Sequence, residues 1–352
     1  MRVLLVKTSS LGDIIHTLPA VTDAARAIPE LRVDWVVEEA FAEIPGWHPA
    51  VEQVIPVALR RWRRHPLRAR RSGEWAAFRK RLGEQNYDLV VDAQGLLKSA
   101  WLTRYVAAPV HGPDRHSARE QLASLFYDHR HAVDPALHAV ERTRRLFAAA
   151  LGYTPEHARQ DYGLDPGRFA QELHGPAPVV FLHGTTWRTK HWPEAYWREL
   201  ACRVAQAGYP VRIPWGNDIE RERAGRIASD LAGVEVLPPM DLAGLARVLA
   251  AARGCVAVDT GPGHLAAALG VPTVSLFGPT SPGRTGAWGP EQIHLASDFP
   301  CAPCFSRTCR YRPTRADRRH HDLEAEHPLC FTRLPPARVW ENLRRMLEGV
   351  NR

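Results

Sequence analysis

The feature that most constrains the fold is a strand–loop–helix pattern that runs twice along the 352-residue chain. Short apolar runs alternate with amphipathic stretches, the first of which predicts a helix over 14–28. This alternation is typical of parallel sheets covered by helices on both faces. The predicted strands are 2–6, 33–38, 54–57 and 88–92 in the first half, and 179–182, 211–214, 255–258 and 273–277 in the second.

A segment rich in proline and glycine, 166–178, separates the two sets and predicts an interdomain linker. We therefore expect an α/β protein with two Rossmann-like domains, 1–165 and 179–334, whose parallel sheets face each other across a cleft. The length agrees, because one hydrophobic core usually serves about 100–200 residues. A last amphipathic stretch, 335–352, closes the chain.

Composition excludes several classes of protein. A hydrophobic content of 45% and a charged content of 24% exclude a largely disordered chain. No apolar run approaches the roughly 20 residues of a membrane span, and the N-terminus lacks the apolar core of a secretory signal. We therefore expect a cytoplasmic protein whose six cysteines are initially reduced.

The net charge of +8 is concentrated in one stretch, where 60–81 holds ten basic residues and one acid. Such a cluster suits the phosphates of a nucleic acid, an anionic lipid or a large phosphorylated substrate. A solvated, arginine-rich helix is the alternative interpretation.

Ligands of open α/β sheets bind beyond the carboxyl ends of the strands. After the first strand there is neither a Gly-x-Gly-x-x-Gly fingerprint nor a Walker A motif, which counts against a dinucleotide oxidoreductase and a P-loop NTPase. The first loop instead carries Lys7, Ser10, Gly12 and Asp13. Asp13 is either a helix cap or a general base that Lys7 and the helix dipole keep ionised.

The loops of the second half predict a diphosphate site. Thr185, Thr186 and Lys190 follow the strand 179–182, and hydroxyls with a lysine are typical phosphate ligands. The glycine-rich turn 259–263 offers free backbone N–H groups to the same diphosphate.

Three further side chains have two interpretations each. His264 either contacts the phosphate or sugar or packs within its helix. Glu220 and Glu222 follow the strand 211–214, where a carboxylate can hold ribose hydroxyls or simply face solvent.

These motifs, in this order and spacing, resemble the ADP-heptose-dependent lipopolysaccharide heptosyltransferases of glycosyltransferase family 9. The resemblance covers nearly the whole chain, and the segments that carry it are 3–20, 34–39, 54–57, 92–96, 122–127, 138–143, 190–193 and 259–261.

The resemblance implies a GT-B fold with a C-terminal helix that crosses back to the first domain. It implies inverting transfer of L-glycero-D-manno-heptose from ADP-heptose to the first Kdo of Kdo2-lipid A. The enzyme would be peripheral on the cytoplasmic face of the inner membrane, and nucleic acid becomes a minor alternative. A transferase for the second heptose, or a non-catalytic basic lipid-A-binding protein, remains an alternative.

The resemblance also implies residue roles, with Asp13 as the general base. The expected donor-binding residues are Thr185, Thr186, Lys190, Glu222, Met240, Asp259, Thr260, Gly261 and His264. The expected acceptor-binding residues are Ser10, Arg60, Arg61, Arg63, Arg119 and Arg142. Because no Asp-x-Asp motif is evident, Lys190 and helix N-termini are expected to replace Mg²⁺, so that no cofactor is required.

A cysteine-containing loop, 301–330, departs from the family pattern. Its Cys301, Cys304, Cys309 and Cys330 either hold a structural zinc ion or remain reduced thiols in a mobile loop. Similar loops occur in some heptosyltransferases, including the second-heptose enzyme.

Overall fold

The computed structural model describes residues 1–156, 159–170 and 175–349, and it divides into two compact units, Met1–Leu164 and Asp165–Arg352. The division falls next to the predicted boundary at residue 165. The predicted linker begins with a 3₁₀ helix, Pro166–Phe169, whose Phe169 is buried. Residues 171–174 of that linker lie outside the described part.

The strands of the N-terminal unit form one parallel sheet. They are β1 Arg2–Val6, β2 Arg32–Glu38, β3 Val51–Val57, β4 Leu89–Asp92, β5 Val110–Pro113 and β6 His129–His131. Their order is β3-β2-β1-β4-β5-β6, so the topology reverses between β1 and β4. The sequence did not predict β5 and β6, which are short.

The helices of this unit differ in one place from the prediction. The continuous helix expected over 14–28 is two helices, because Pro19 in the first turn of the second helix has no N–H to continue the bonding. The helices are α1 Leu11–Ile15, α2 Leu18–Ala27, α3 Leu59–Arg64, α4 Pro66–Arg71, α5 Glu74–Gly83, α6 Leu97–Thr103 and α7 Ala139–Leu151. Short 3₁₀ helices span Glu39–Phe41, Pro45–Trp47 and Gln121–Phe126.

The second unit repeats this architecture. Its strands are β7 Val179–Leu182, β8 Val211–Ile213, β9 Val234–Val236, β10 Gly254–Val258, β11 Thr273–Phe277 and β12 Gln292–Ala296. They form a parallel sheet in the order β12-β11-β10-β7-β8-β9. Every residue of β7, β10 and β11 is buried, as expected for central strands covered on both faces. Two parallel sheets confirm the predicted α/β class.

The helices of the second unit cover this sheet. They are α8 Glu194–Gln206, α9 Asp218–Ala228, α10 Leu242–Ala250, α11 Gly261–Ala268, α12 Pro282–Thr285, α13 Arg315–His320 and α14 Pro336–Gly349. Two further 3₁₀ helices span Arg188–Lys190 and Leu329–Arg333. Within the described residues, no helix is both long and apolar enough to cross a bilayer.

The C-terminal helix α14 packs within its own unit. Val339, Leu343 and Leu347 are fully buried, and they lie in one hydrophobic cluster with α8, β10 and β11. The apolar face of α14 is therefore buried against its own unit, and the expected packing of this helix on the N-terminal domain stays a prediction. Residues 350–352 of the predicted segment lie outside the described part.

Candidate active site

The loop between β1 and α1 carries the predicted base, Asp13. Ser10 precedes α1, and its backbone N–H and hydroxyl donate to Asp13 Oδ2 at 2.8 and 3.0 Å. Among the hydrogen bonds of the described residues, none goes to Asp13 Oδ1. The side chain is 29% exposed. The cap and base interpretations are therefore compatible, since one oxygen caps the helix and the other is available to a substrate.

The charges around Asp13 favour its ionised form. Burial by itself raises the pKa of this carboxyl, but the Lys7 ammonium, the Ser10 hydrogen bonds and the Arg119 guanidinium together hold it below its ordinary value. Arg119 Nη1 lies 3.8 Å from Oδ2. Burial lowers the pKa of Lys7, against the opposing effect of Asp13, and Lys7 Nζ donates to the Ala93 carbonyl at 2.7 Å. Asp13 is therefore a carboxylate at neutral pH.

Gln94 and Asp92, to which the sequence analysis gave no role, fix this loop in place. Gln94 Oε1 accepts the backbone N–H groups of Thr8 and Ser9, both at 3.0 Å. Asp92 accepts the N–H of Gln94 and the hydroxyl of Tyr127, both at 2.8 Å. Burial raises the pKa of Asp92, although these hydrogen bonds oppose the shift. The sequence signal that could have revealed this role is a pair of polar residues at the end of a buried strand.

Three of the predicted acceptor-binding arginines lie around Lys98, which was not predicted as a site residue. Burial lowers the pKa of Lys98, and Arg60, Arg63 and Arg119 add to that effect, while Glu38 opposes it. The structure thus places a group of four cations beside the loop that carries the base.

Arg61 and Arg142 have different surroundings. Arg61 binds Glu39 at 2.9 Å and Glu74 at 2.7 Å, so its charge already holds two carboxylates of this chain. The two ion pairs tie Arg61 to other parts of its own chain, and its predicted acceptor contact stays a prediction. Arg142, in α7, adds to the effect of burial in lowering the pKa of Lys7, which places it among the cations near Asp13.

In the second unit, the carboxyl ends of β7 and β10 bring predicted donor-binding residues together. Lys190 Nζ lies 2.7 Å from Asp259 Oδ2, and the Thr280 hydroxyl donates to the same oxygen at 2.7 Å. The Thr185 hydroxyl donates to the Asp259 carbonyl at 3.2 Å, and Thr186 is exposed on the same loop. This edge of the sheet therefore brings the hydroxyls of Thr185 and Thr280 together with Lys190 around Asp259.

The N-terminus of α11 lies beside this lysine–aspartate pair. Thr260 is the N-cap and Gly261 the first helical residue. Pro262 has no N–H and the Gly263 N–H donates to the Thr260 carbonyl at 3.1 Å, so the Gly261 N–H stands at the open end of the helix. His264 is buried on the same helix, with Nε2 3.9 Å from Asp259 Oδ1. The structure thus groups Thr260, Gly261 and His264 with Lys190.

The two glutamates of α9, Glu220 and Glu222, have different surroundings. The Glu220 carboxylate accepts the N–H of Gly216 at 2.8 Å, and a Cβ on Gly184 would lie 2.5 Å from its carboxyl carbon. Glu222 is exposed further along α9. Glu220 therefore lies against the loop after β7, and the donor contact of Glu222 stays a prediction. Met240 is partly buried just before α10.

The four cysteines of the 301–330 loop line one small apolar cavity. Burial raises the pKa of Cys330 to about 12, so this thiol is protonated at neutral pH. No three His, Cys, Asp or Glu side chains in the described parts of the chain are arranged to hold a metal ion. The zinc interpretation of Cys301, Cys304 and Cys309 with Cys330 stays a prediction.

A family model described as glycosyltransferase family 9 (heptosyltransferase) matches residues 75–315. This chain belongs to glycosyltransferase family 9. The fold is accordingly GT-B, and this family 9 protein is a glycosyltransferase enzyme.

One curated relative and two solved structures are similar to this chain over most of its length. The chain is 65% identical to lipopolysaccharide heptosyltransferase 1 of Pseudomonas aeruginosa over 348 residues, which covers 99% of this chain and 98% of the relative. A structure of E. coli heptosyltransferase WaaC with ADP has a TM-score of 0.81 and 52% identity, covering 84% of this chain and 93% of that one. A second structure of that enzyme, with ADP-2-deoxy-2-fluoro heptose, has a TM-score of 0.77 at the same identity and coverage.

Proposed function

We propose that this family 9 glycosyltransferase transfers L-glycero-D-manno-heptose from ADP-heptose to the first Kdo of Kdo2-lipid A, with inversion. The observation that carries the proposal is an ionised aspartate at the edge of one sheet together with a lysine–hydroxyl loop at the edge of the other. The 65% identity to a heptosyltransferase 1, and the E. coli structures with ADP and an ADP-sugar analogue, support it.

On the donor side, Thr185, Thr186 and Lys190 bind the diphosphate. Negative charge grows on the departing ADP in the transition state, and Lys190 together with the first turn of α11 stabilises it. Thr260 and Gly261 open that turn. Asp259 orients Lys190 through the 2.7 Å contact.

Four residues hold the rest of the donor. Glu220, which lies against Gly184, receives the hydroxyls of the ribose, and Met240 packs near the adenine. His264 and Asp259 lie where the donor sugar meets its phosphate.

On the acceptor side, Asp13 is the general base. As the acceptor oxygen attacks the anomeric carbon, its proton passes to Asp13 Oδ1, and the bond between that carbon and the diphosphate oxygen breaks on the opposite face. Attack opposite to the leaving group inverts the anomeric centre. The products are the heptosylated acceptor and ADP, and solvent then takes the proton from Asp13.

The cations near Asp13 bind the anionic acceptor. Arg60, Arg63, Arg119 and Arg142 match the carboxylates of Kdo and the phosphates of lipid A, because guanidinium groups bind such anions in a bidentate manner. Ser10 lies at the entrance of the same loop and contacts the acceptor sugar. Arg61 instead ties α3 to Glu39 and to Glu74 at the start of α5.

An exposed apolar surface next to these cations supports an acceptor held in a membrane. Leu97 and Trp101 on α6 are 39% and 40% exposed, and Leu122 and Leu125 on the neighbouring 3₁₀ helix are 61% and 68% exposed. Arg119 lies two residues before the start of that 3₁₀ helix. Apolar side chains rimmed by cations suit the cytoplasmic face of an anionic bilayer. The proposed location is therefore peripheral, on the inner face of the inner membrane.

The proposed transfer requires no cofactor. Lys190 and the N-terminus of α11 supply the positive charge that a divalent cation supplies in other sugar transferases. Enzyme treated with EDTA is expected to keep its rate, and a rate that is lost with EDTA and restored by Mg²⁺ would overturn this part of the proposal.

The direct test incubates the full chain with ADP-heptose and Kdo2-lipid A and measures the acceptor by mass spectrometry. Addition of one heptose with release of ADP supports the proposal. If Kdo2-lipid A binds but neither product appears, the protein is instead a non-catalytic lipid-A-binding protein.

A further inference from the structure

A part of the cysteine-containing loop packs directly on the donor loop. The Thr189 hydroxyl, which is buried, donates to the carbonyl of Ser306 at 2.7 Å. The N–H of Phe305 donates to the carbonyl of Pro279 at 2.8 Å. Residues 305–306 are thus hydrogen-bonded to the loop after β7 and to the loop after β11, which places residue 307 next to the proposed diphosphate site.

The backbone at Phe305 is strained, with φ at +50°. A bulky side chain disfavours the left-handed region, so the surrounding contacts must hold Phe305 there. Burial of the ring does not explain this conformation, because Phe305 is 44% exposed. Arg307 follows two residues after this turn of the chain and lies 5.1 Å from the centre of the Trp187 ring.

Arg307 and Lys190 contact the same aromatic ring. Lys190 Nζ lies 4.5 Å from the centre of the Trp187 ring, and Arg307 Cζ lies 5.1 Å from it. Lys190 has a counter-charge in Asp259 at 2.7 Å. Arg307 is exposed, and among the ion pairs of the described residues none includes it. Two cations on one ring with a single carboxylate between them leave positive charge for an anionic ligand.

We propose that Arg307 is a second cation for the diphosphate of the ADP-sugar, brought to the donor site by the cysteine-containing loop. The proposal rests on the donor site assigned above. Trp187 orients both cations through its ring, Lys190 from the donor loop and Arg307 from the docked segment. Arg307 is a binding residue in this account, and it stabilises ADP as both ligand and leaving group.

Calorimetric titration of the full chain with ADP and with adenosine tests the proposal. A charge-assisted hydrogen bond at an exposed position contributes about 1.4 kcal/mol, which is tenfold in affinity. Arg307→Ala is therefore expected to bind ADP about tenfold more weakly and adenosine as the wild type does. Arg307→Lys is expected to recover part of the loss. Arg310→Ala, which removes an exposed cation from the same loop, is the matched control and is expected to bind ADP normally.

Three results would overturn this role. Arg307→Ala with wild-type ADP affinity would show that the guanidinium does not bind the diphosphate. Equal losses for ADP and adenosine would show that Arg307 only packs the site. Wild-type protein that binds no ADP would refute the donor assignment itself, and with it the role of Arg307, so the two failures are distinguishable.

Discussion

Replacement of Asp13 by asparagine removes the proposed base while it keeps the shape of the loop. The asparagine must turn its side-chain oxygen to the Ser10 N–H, which donates to Asp13 Oδ2 at 2.8 Å in the native protein. Its NH₂ group then takes the place of Oδ1, where the acceptor proton would go. A donor in that place cannot accept the proton, so the helix cap is kept and the chemistry is lost.

Both expected magnitudes follow from this geometry. A positioned general base contributes about 10²–10⁴-fold to the rate, so kcat of Asp13→Asn is expected to fall by that factor. Stability changes much less. Asparagine loses the attraction of Lys7 and that of Arg119, the latter at most about 1 kcal/mol for an exposed guanidinium 3.8 Å away. It also removes the cost of burying a charge, and the cap bond is retained.

The assay is ADP release under saturating ADP-heptose and Kdo2-lipid A, with ADP affinity and the melting temperature measured on the same samples. The variant is expected to bind ADP as the wild type does, because the donor loop lies in the other unit. Glu84→Gln, which removes an exposed carboxylate just after α5, is the matched control and is expected to keep its rate. An Asp13→Asn enzyme with more than a tenth of the wild-type kcat would refute the base assignment.

Further predictions concern the residues around the two loops. Gln94→Met leaves two buried N–H groups without an acceptor, so we expect a loss of about 2 kcal/mol in the free energy of unfolding and at least a tenfold lower kcat; unchanged kcat would contradict its positioning role. Lys190→Met is expected to abolish ADP binding and to lower the melting temperature, because Asp259 stays buried without its lysine partner. The double variant with Asp259→Asn should recover the melting temperature but not ADP binding. Burial lowers the pKa of His48 to about 4 and of His183 to about 3, so below pH 6.5 the unfolded chain binds protons that the folded chain does not. Urea unfolding should therefore show about 1 kcal/mol less stability per histidine at pH 5.5 than at pH 7.5. Equal stability at the two pH values would contradict this.

The architecture followed from the hydrophobic pattern, but its boundaries did not. Central strands such as β7 and β10 are continuous apolar runs, and they lie where the pattern predicts them. The edge strands β6 and β9 have three residues each and weak patterns, and they form because a neighbouring strand supplies their partners. The amphipathic pattern of α14 likewise predicts a helix with one buried face, but periodicity does not reveal that α8, β10 and β11 bury it.

Residue types and loop positions predicted much of the candidate site. Asp13, Thr185 and Lys190 follow strands at the edge where ligands of parallel sheets bind, and the structure places them there. Side-chain direction could not be predicted in the same way. Two helical positions separate Glu220 from Glu222, and the rotation between them turns one toward Gly184 and leaves the other exposed.

The same limit applies to the basic stretch 60–81. Composition indicated an anion-binding surface, but it could not separate arginines that already have carboxylate partners from those available to a ligand. Arg61 binds Glu39 and Glu74, whereas Arg60 and Arg63 lie close to Lys98. The net charge of +8 is therefore a poor guide to the number of cations available to the acceptor.

The most direct test of the central claim compares two acceptors in parallel. Purified enzyme with ADP-heptose is given Kdo2-lipid A in one reaction and the same lipid already carrying one heptose in the other, and both products are weighed by mass spectrometry. We predict a mass increase of one heptose on Kdo2-lipid A and no addition to the heptosylated lipid. Transfer only to the heptosylated lipid would contradict it and would identify a transferase for the second heptose.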